Sequence, residues 1–499
     1  MIIAQVGSNK IIWDGELERY FSRFRKHVVG HDQMFATPYG YKTIEYADWT
    51  ASGRLYKPIE EKINQHFAPF MANTHTESNQ TGMFMTNAYL QAKMIIKEHV
   101  NAGDQDVLLL DGFGMTSVMN KFQRILGIRI PGKWKEKVEV KPEERPVVFI
   151  THREHHSNQI TWMETISEVV VIEPAEDGSI NLSNWEKALK KYSERKMKIG
   201  AFTACSNVTG LMTPYYELAR LMHEYGGICV VDFAASAPYI NINMNPEDKR
   251  DRLDAIMFSP HKFLGGPGTS GVLIFNSALY DNPVPDHPGG GTVKWTNPWG
   301  SHSYHHDIET REDGGTPGIL QCIRTALCIR LKEEMGVDNM LKREKELLDI
   351  LLPGLKSIPE VQVLEPEKEN RLGIISFTVR DMHYNLVVKL LNDRFGIQVR
   401  GGCSCAGTYG HYLMQITYQE SKKITDEVEK GNYSTKPGWV RYSIHPIMTN
   451  KEAYDFIRAM QLIVENREEW QQDYIYDPET NDYFYCHHTR EDFDWFFHV

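Results

Sequence analysis

Seven short apolar runs between positions 106 and 275 lack the polar alternation of a half-exposed strand. The runs fall at 106–110, 146–150, 169–172, 200–203, 227–231, 254–258 and 271–275. Continuous apolar runs of this length are typical of strands buried on both faces. Helical patterns separate several of them, for example at 184–192 and 215–225. The alternation predicts a mostly parallel sheet of seven strands with right-handed helical crossovers.

The pattern changes after residue 318, where two long helical patterns precede shorter strand-like and helical segments. The helical patterns are 319–334, 339–355, 385–393 and 451–468, and the strand-like ones are 372–379, 396–400 and 439–443. These segments predict a smaller α+β domain. We therefore divide the chain into an N-terminal arm, a large domain, a small C-terminal domain and an aromatic, acidic tail. Their proposed bounds are 1–40, 41–318, 319–468 and 469–499.

Two further segments stand out in this division. The arm contains one amphipathic helical pattern at 15–28. Residues 281–318 are rich in Gly, Pro and His and show no clear periodicity. An irregular segment of this length inside a compact domain is usually functional.

Composition excludes several classes of protein. The chain has 499 residues, enough for two to three domains, and a net charge of −11 without a dense basic run, which argues against a nucleic-acid partner. No stretch approaches the roughly 18 continuous apolar residues of a membrane-spanning helix. The first residues lack the features of a secretory signal, and the seven cysteines form no spaced framework. We expect a cytoplasmic protein with reduced thiols and no membrane partner.

Lys262 is the most informative single residue. It follows the apolar run 254–258 and precedes a glycine-rich loop, and Asp232 ends the apolar run 227–231. A lysine at the end of a buried strand needs a partner or a covalent role, and a lowered pKa suits Schiff-base formation. Pyridoxal 5'-phosphate (PLP) uses such a lysine together with an acid for its ring nitrogen. The ordered pair therefore predicts a PLP site, although each residue alone could be an ordinary strand-end charge.

Other motifs occur in a recognisable order around this pair. They are Glu-His-His-Ser-Asn at 154–158, Ser-Asn at 206–207, Ser-Pro-His-Lys at 259–262 and Arg-Gly-Gly-Cys-Ser-Cys-Ala at 400–406. Over residues 40–465 the chain resembles the class V aminotransferase family of fold-type I PLP enzymes. Within that family it most resembles the cysteine desulfurases and selenocysteine lyases. The resemblance implies a large domain with a mostly parallel seven-stranded sheet and a smaller α+β C-terminal domain.

The resemblance also implies roles for individual residues in holding PLP. His155 would stack on the ring, Asn207 would hydrogen-bond the phenolic oxygen, and Asp232 would keep the ring nitrogen protonated. The implied phosphate contacts are Thr116, at the start of a helix, and Ser259 and His261, beside the lysine. Thr316, in a Gly-Thr-Pro turn at 315–317, would reach the phosphate of a neighbouring subunit, which implies a homodimer.

The substrate residues implied by the resemblance lie in the small domain. Arg441 would bind the α-carboxylate of the amino-acid substrate, with Arg400 nearby. Cys405 falls on the position of the desulfurase nucleophile, with Cys403 as the alternative thiol, and paired glycines at 401–402 would let this loop move. One departure concerns the cofactor, because Ala235 stands where the family commonly has a glutamine after Asp232.

Three hypotheses for the function follow. The leading one is a desulfurase or selenocysteine lyase that forms alanine and leaves a persulfide on Cys405 for a sulfur-acceptor protein or thiol. Lys262 would transfer the α proton. The alternative is an aminotransferase or other PLP enzyme in which the cysteines are incidental. A non-catalytic scaffold is disfavoured by the presence of Lys262, Asp232 and His155 together.

Two histidine-rich clusters suggest metal binding only weakly. The segments 301–307 and 486–488 contain His, Asp or Cys without a complete ligand set at a recognisable spacing. We expect loop histidines in both segments and no metal site.

Overall fold

A computed structural model describes residues 15–74, 76, 78–487 and 494–498 of the chain. The N-terminal part contains α1 (Glu16–Arg25), β1 (Met34–Thr37), β2 (Gly40–Thr43), β3 (Glu45–Tyr46), α2 (Lys57–Lys62) and α3 (Gln80–His99). The helix expected at 15–28 is present as α1, and its Phe21 and Phe24 enter the main core. Residues 1–14 of the expected arm lie outside the described residues.

All seven predicted strands form one sheet. They are β4 (Asp106–Asp111), β5 (Val147–Thr151), β6 (Glu168–Ile172), β7 (Lys198–Thr203), β8 (Ile228–Asp232), β9 (Ala255–Phe258) and β10 (Gly271–Asn276). The strand order is β4-β10-β9-β8-β7-β5-β6. Only β10 runs antiparallel to its neighbours within this sheet. The predicted mostly parallel architecture is confirmed.

Both faces of this sheet are covered. The connecting helices are α4 (Met115–Ile125), α5 (Gly132–Lys135), α6 (His156–Met163), α7 (Leu182–Lys191) and α8 (Tyr215–Glu224). Alternate residues of β5 enter opposite cores, with Val147 and Phe149 on one side and Val148 and Ile150 on the other. Burial on both faces explains why the sequence shows continuous apolar runs.

The parallel strands β5, β7, β8 and β9 all end at one edge of the sheet. Their last residues are Thr151, Thr203, Asp232 and Phe258. In open α/β sheets, ligands bind outside the carboxyl ends of the strands. This edge therefore carries the loops on which the predicted cofactor residues lie.

Residues 281–318 are more regular than the sequence indicates. They contain β11 (Val293–Thr296), β12 (His302–Tyr304) and α9 (Ile308–Glu312), with the two strands paired as a hairpin. The expectation of an irregular segment is wrong in this part. Most residues of β11 and β12 are exposed, so the hairpin has no buried face to leave an apolar pattern.

The C-terminal region begins with α10 (Ile319–Met335) and α11 (Val337–Lys356). It continues with β13 (Val361–Val363), β14 (Ile374–Val379), α12 (Tyr384–Leu390), β15 (Ile397–Gln398), β16 (Arg400–Gly402), α13 (Gly407–Leu413), α14 (Tyr418–Glu429), β17 (Trp439–Ser443), α15 (Asn450–Glu465) and α16 (Arg467–Trp470). Four strands form an antiparallel sheet in the order β13-β14-β17-β16. The strand expected at 396–400 is divided, because β15 pairs with β3 of the N-terminal part and β16 joins this sheet.

The tail forms a C-terminal hairpin that the sequence did not predict. It consists of β18 (Tyr474–Asp477) and β19 (Asp482–Tyr485). Residues 488–493 and 499 of the predicted tail lie outside the described residues. Across the described part of the chain, no helix combines the length and apolar character needed to cross a bilayer.

Candidate active site

A cavity of about 400 Å³ opens at the carboxyl edge of the large sheet. Side chains from the N-terminal part, the large sheet and the C-terminal sheet all contribute to its wall. Ten of the eleven residues singled out from the sequence line it, namely Thr116, His155, Asn207, Asp232, Ser259, His261, Lys262, Arg400, Cys405 and Arg441. The structure therefore brings together residues that span positions 116 to 441.

Lys262 and Asp232 approach the cavity from neighbouring strands. Lys262 ends a short helical turn after β9, and Asp232 is the last residue of β8. Burial lowers the pKa of the Lys262 amine to about 8, although the charge of Asp232 opposes that shift. Burial likewise raises the pKa of Asp232 to about 6, against a 2.8 Å hydrogen bond donated by the Ala234 amide. A buried amine and a buried carboxyl thus share one cavity, as a site for acid–base chemistry requires.

His155 presents a neutral ring to the cavity. It caps α6, and its Nδ1 accepts a 3.1 Å hydrogen bond from the Ser157 amide. Because Nδ1 is an acceptor, the ring proton resides on Nε2. Burial lowers the pKa of His155 to about 3, with the positive charge of Lys262 acting in the same direction. The ring can therefore contact a flat ligand without adding charge.

The start of α4 forms a small polar cradle. The Met115 amide donates to Ser259 Oγ at 2.8 Å, and His261 Nδ1 donates to the Phe113 carbonyl at 2.9 Å. A Cβ on Gly114 would lie 3.0 Å from both Ser259 Oγ and His261 Cε1, so the glycine leaves room that a larger residue would fill. Amides and hydroxyls at a helix start suit a bound anion.

Thr116 contributes to the same cradle through a partner that sequence reasoning missed. Its Oγ1 lies 2.6 Å from Ser157 Oγ, and both side chains line the cavity. Ser157 belongs to the Glu-His-His-Ser-Asn motif, but the sequence does not show that α6 brings its side chain beside Thr116.

The two arginines lie opposite each other on β16 and β17. Both bind one carboxylate, that of Asp48, with Arg441 Nη2 at 2.8 Å from Oδ1 and Arg400 Nε at 2.9 Å from Oδ2. Arg441 is buried, whereas about half of the Arg400 side chain is exposed. Arg441 also donates through Nη1 to the Asn207 carbonyl at 3.1 Å. Two guanidinium groups that converge on one carboxylate form a site suited to a carboxylate ligand.

Asp48, the shared partner of the two arginines, is a residue that the sequence analysis missed. It follows the two-residue strand β3, and its side chain is largely buried between the arginines. Asp48 is separated from β3 by Ala47, so it lacks the signal that identified Asp232, an acid at the end of an apolar run. The run around Asp48 is too short and too mixed to be recognised as a strand on its own.

Cys405 lies on a firmly held loop rather than a free one. Its carbonyl accepts a 2.7 Å hydrogen bond from the His156 amide. The preceding Ser404 carbonyl accepts from Asn207 Nδ2 at 2.6 Å, and Ser404 Oγ accepts from Trp439 Nε1 at 3.2 Å. These contacts hold the loop in place, which differs from the movement expected from the glycine pair at 401–402. The Cys405 side chain itself is exposed at the cavity.

The two thiols of this loop differ in where they lie. Cys403 is partly buried and packs against a small apolar cluster that includes Val208, Tyr409 and Trp439. Of the pair, Cys405 alone lines the cavity. The structure thus separates two cysteines that the sequence left as alternatives.

Thr316 is the predicted site residue that lies outside this cavity. It is exposed, and its Oγ1 accepts a 3.3 Å hydrogen bond from Asn73 Nδ2. Its expected role concerns a neighbouring subunit and stays a prediction. Among the described residues no group of three or more His, Cys, Asp and Glu side chains could hold a metal. His488 of the second histidine-rich segment lies outside those residues.

The fold and the lysine–carboxyl cavity define a class of enzyme. The family model described as aminotransferase class-V matches residues 45–456. The chain belongs to the class V aminotransferase family, which confirms the prediction of an enzyme of this family.

Several curated relatives of this chain share a name. It is 28% identical over 404 residues to a probable cysteine desulfurase of Halalkalibacterium halodurans, covering 79% of this chain and 93% of that protein. It is 27% identical over 369 residues to a probable cysteine desulfurase of Staphylococcus aureus, covering 73% and 84% of the two chains.

Solved structures establish the same architecture. A cysteine desulfurase from Thermococcus onnurineus superposes with a TM-score of 0.70 at 24% identity, covering 89% of this chain and 98% of that one. The cysteine desulfurase CsdA from Escherichia coli gives a TM-score of 0.69 at 18% identity over the same shares. These likenesses confirm the predicted fold class.

Proposed function

We propose that this chain is a PLP-dependent cysteine desulfurase, which converts cysteine to alanine and retains the sulfur as a persulfide on Cys405. The single observation that carries the proposal is the position of Cys405, whose thiol lines the same cavity as Lys262 and Arg441. The names of the curated relatives support it.

The residues of the cavity fit PLP. Lys262 offers an amine for the aldehyde, Asp232 a buried carboxyl for the ring nitrogen, and His155 a neutral ring for the flat face. The cradle at Gly114 offers amides and hydroxyls for the phosphate. When bound, PLP withdraws electrons from the α carbon of an amino acid.

Lys262 is proposed to hold and move the proton at the α carbon. A pKa near 8 leaves about a tenth of the amine neutral at pH 7, far more than for an ordinary lysine, so it can both accept and return a proton. Asp232 ends β8, the strand that pairs with β9. Its buried carboxyl is the proposed acidic partner for a protonated ring nitrogen.

The arginines are proposed to orient the substrate through its carboxylate. Asp48 occupies them in the described structure, and Arg400 is the more exposed of the two. Arg441 is proposed to bind the substrate carboxylate in exchange for that of Asp48, with the more exposed Arg400 beside it. This arrangement favours an amino acid as the substrate over an amine without a carboxylate.

Cys405 is proposed to accept the sulfur. In the overall exchange the carbon–sulfur bond of cysteine breaks, a sulfur–sulfur bond forms on Cys405, and a proton ends on the carbon that becomes the methyl group of alanine. Lys262 and Arg441 line the same cavity as Cys405, so the thiol faces the proposed site of the reacting amino acid. A thiol, free or on an acceptor protein, must then remove the sulfur from this exposed position.

A matched pair of thiol variants tests the proposal. Purified protein should show the absorbance of bound PLP, and cysteine should produce alanine together with 32 Da of added mass on Cys405, one sulfur atom. Cys405→Ala should lose both products but keep the absorbance, whereas Cys403→Ala should keep all three. Equal turnover in both variants would favour an aminotransferase or another PLP reaction. Selenocysteine in parallel reactions would show whether selenium is also released.

The oligomeric state forms a separate part of the proposal. We propose a homodimer in which the exposed Thr316 completes the phosphate site of the partner. Sedimentation should give twice the 57.6 kDa chain mass. Thr316→Ala should weaken PLP retention without changing the dimer, and a monomeric protein that retains PLP would contradict this part alone.

A further inference from the structure

The C-terminal hairpin lies beyond residue 456, where the family match ends, and it packs against α12. Its turn contains Asn481, which has a φ of +59°. Tyr476 of the first strand donates to Asn481 Oδ1 at 2.9 Å and so fixes the orientation of the amide. The turn is thus a shaped surface and not a loose chain end.

Asn481 contacts α12 through both its backbone and its side chain. Its Nδ2 donates to the Tyr384 hydroxyl at 2.7 Å, and its carbonyl accepts from Asn385 Nδ2. The ring of His383 stacks on Tyr384 with centroids 4.2 Å apart and also packs against Tyr476 of the hairpin. The first turn of α12 is therefore fixed from outside by the hairpin.

Tyr384 and Asn385 of α12 lie against the strands that carry the two arginines. A Cβ on Gly401 would overlap Asn385 Oδ1 and lie 3.1 Å from the Tyr384 ring. A Cβ on Gly438 would lie 2.5 Å from that ring. Gly401 follows Arg400 in β16, and Gly438 directly precedes β17. The glycines thus let α12 touch the strands with no intervening side chain, which leaves little room for independent movement.

We propose that the C-terminal hairpin positions the thiol and the arginines of the active site, with Asn481 as the positioning residue that links it to them. The link runs from Asn481 through Tyr384 and Asn385 to the strands that carry Arg400 and Arg441. The role assigned to those strands rests on the proposed function, whereas the physical link does not.

Two variants break the link, and two further variants serve as controls. Asn481→Gly keeps a backbone suited to positive φ and the carbonyl used by Asn385, but removes the amide bound to Tyr384. Tyr384→Phe removes the other partner of the same hydrogen bond. Glu479→Ala changes an exposed residue of the same turn and serves as the matched control. Asn481→Asp should behave as wild type, because the Tyr384 hydroxyl can donate to a carboxylate.

The first measurement is amide hydrogen exchange without substrate. Peptides covering 400–406 should exchange several-fold faster in Asn481→Gly and Tyr384→Phe than in the wild type and the control. Peptides from β5, β7 and β8 should be unchanged. Equal acceleration of the large sheet would show a general loss of stability and overturn the proposal, as would unchanged exchange at 400–406.

The second measurement is the rate at which cysteine places sulfur on Cys405 of the PLP-loaded protein. It should fall about fivefold in either variant, the usual effect of one hydrogen bond, while the absorbance of the bound cofactor stays unchanged. The double variant should lose less than the product of the two single effects, because the Asn481–Tyr384 bond is common to both variants, although Asn481 also accepts from Tyr476 and Tyr384 also donates to the Lys436 carbonyl.

The two measurements separate the two proposals. A wild-type protein that forms no persulfide on Cys405 would defeat the proposed function, while hydrogen exchange would still decide the role of the hairpin. The hairpin proposal alone would be defeated if the wild type formed the persulfide normally and both variants matched the Glu479→Ala control in rate and in exchange at 400–406.

Discussion

The two sides of the cavity are built in different ways. On the cofactor side, Asp232 accepts from Ala234 and His155 from Ser157, two residues along the chain in each case. On the substrate side, Arg441 binds Asp48, which is 393 residues away, and Ser404 is held by Asn207, 197 residues away. The groups proposed to face the ring depend on strand ends and local turns, and the cradle joins α4 to the turn after β9, whereas the arginines and the Cys405 loop depend on contacts between the C-terminal sheet and much earlier segments. Loss of a distant contact should therefore disturb the substrate side and leave the cofactor side intact.

Replacing Lys262 by Ala should have the largest effect on either side. Removing the proposed proton-transferring amine should lower turnover by about 10²–10⁴-fold, the usual contribution of a general base. Alanine production from cysteine is the measurement, with the exposed Lys57→Ala as the control. Borohydride should fix PLP on the peptide that contains Lys262, and a labelled peptide elsewhere would contradict the assignment.

Replacing Asp48 by Ala should be the most damaging change on the substrate side. It leaves the buried Arg441 without its carboxylate, which should lower the free energy of unfolding by about 3–5 kcal/mol. Arg400→Ala, which removes the exposed member of the same cluster, should cost no more than about 1 kcal/mol. Denaturant titration of both proteins is the measurement. If Asp48→Ala and Arg400→Ala lowered the free energy of unfolding equally, the described difference in burial between Arg441 and Arg400 would be contradicted.

The pH dependence of cofactor capture should distinguish Lys262 from an ordinary lysine. The neutral amine attacks an aldehyde, so the rate at which cofactor-free protein captures PLP should rise with pH and level off above about 8. A usual lysine would level off above about 10.4. Because the charge of Asp232 raises the pKa of Lys262, Asp232→Asn should move the midpoint to lower pH. Stopped-flow absorbance gives the rates, and a midpoint near 10 would refute the buried amine.

Ser404→Ala should give the smallest effect. It removes the acceptor of the Trp439 Nε1 hydrogen bond and so loosens one of the contacts that hold the Cys405 loop. One such bond contributes about 1 kcal/mol, and the rate of persulfide formation should fall by at most about fivefold. The absorbance of bound PLP should not change. A loss as large as that of Lys262→Ala would show that this contact controls more than the loop.

The same contrast explains how much the sequence could predict. All seven strands of the large sheet were predicted because burial on both faces leaves continuous apolar runs. Asp232 could be found because it stands directly after such a run, and Lys262 because a run and a glycine-rich loop flank its short Ser-Pro-His-Lys segment. Asp48 could not, because its role arises from pairing with β17 at the other end of the chain. The choice between Cys403 and Cys405 likewise required the loop, in which Ser404 and Cys405 both adopt positive φ.

The two hairpins show where prediction from the sequence fails. β11, β12 and the outer side of the C-terminal hairpin carry exposed apolar and aromatic residues, such as Trp295 and Ile475. Exposed strands have no alternation imposed by a core, so their residues do not reveal them. Their contacts with other elements become visible only in three dimensions.

The link between Asp48 and Arg441 has a consequence for biosynthesis. Asp48, Asp232 and Lys262 are all synthesised before β16 and β17, so the lysine and its carboxyl neighbour exist on the nascent chain before the arginine sheet does. Contacts between such distant segments form late because the loop between them must close first. An unfinished or prematurely terminated chain could thus present a reactive lysine without the arginines that select an amino acid. Completion of the C-terminal sheet is the step at which the cavity acquires its specificity.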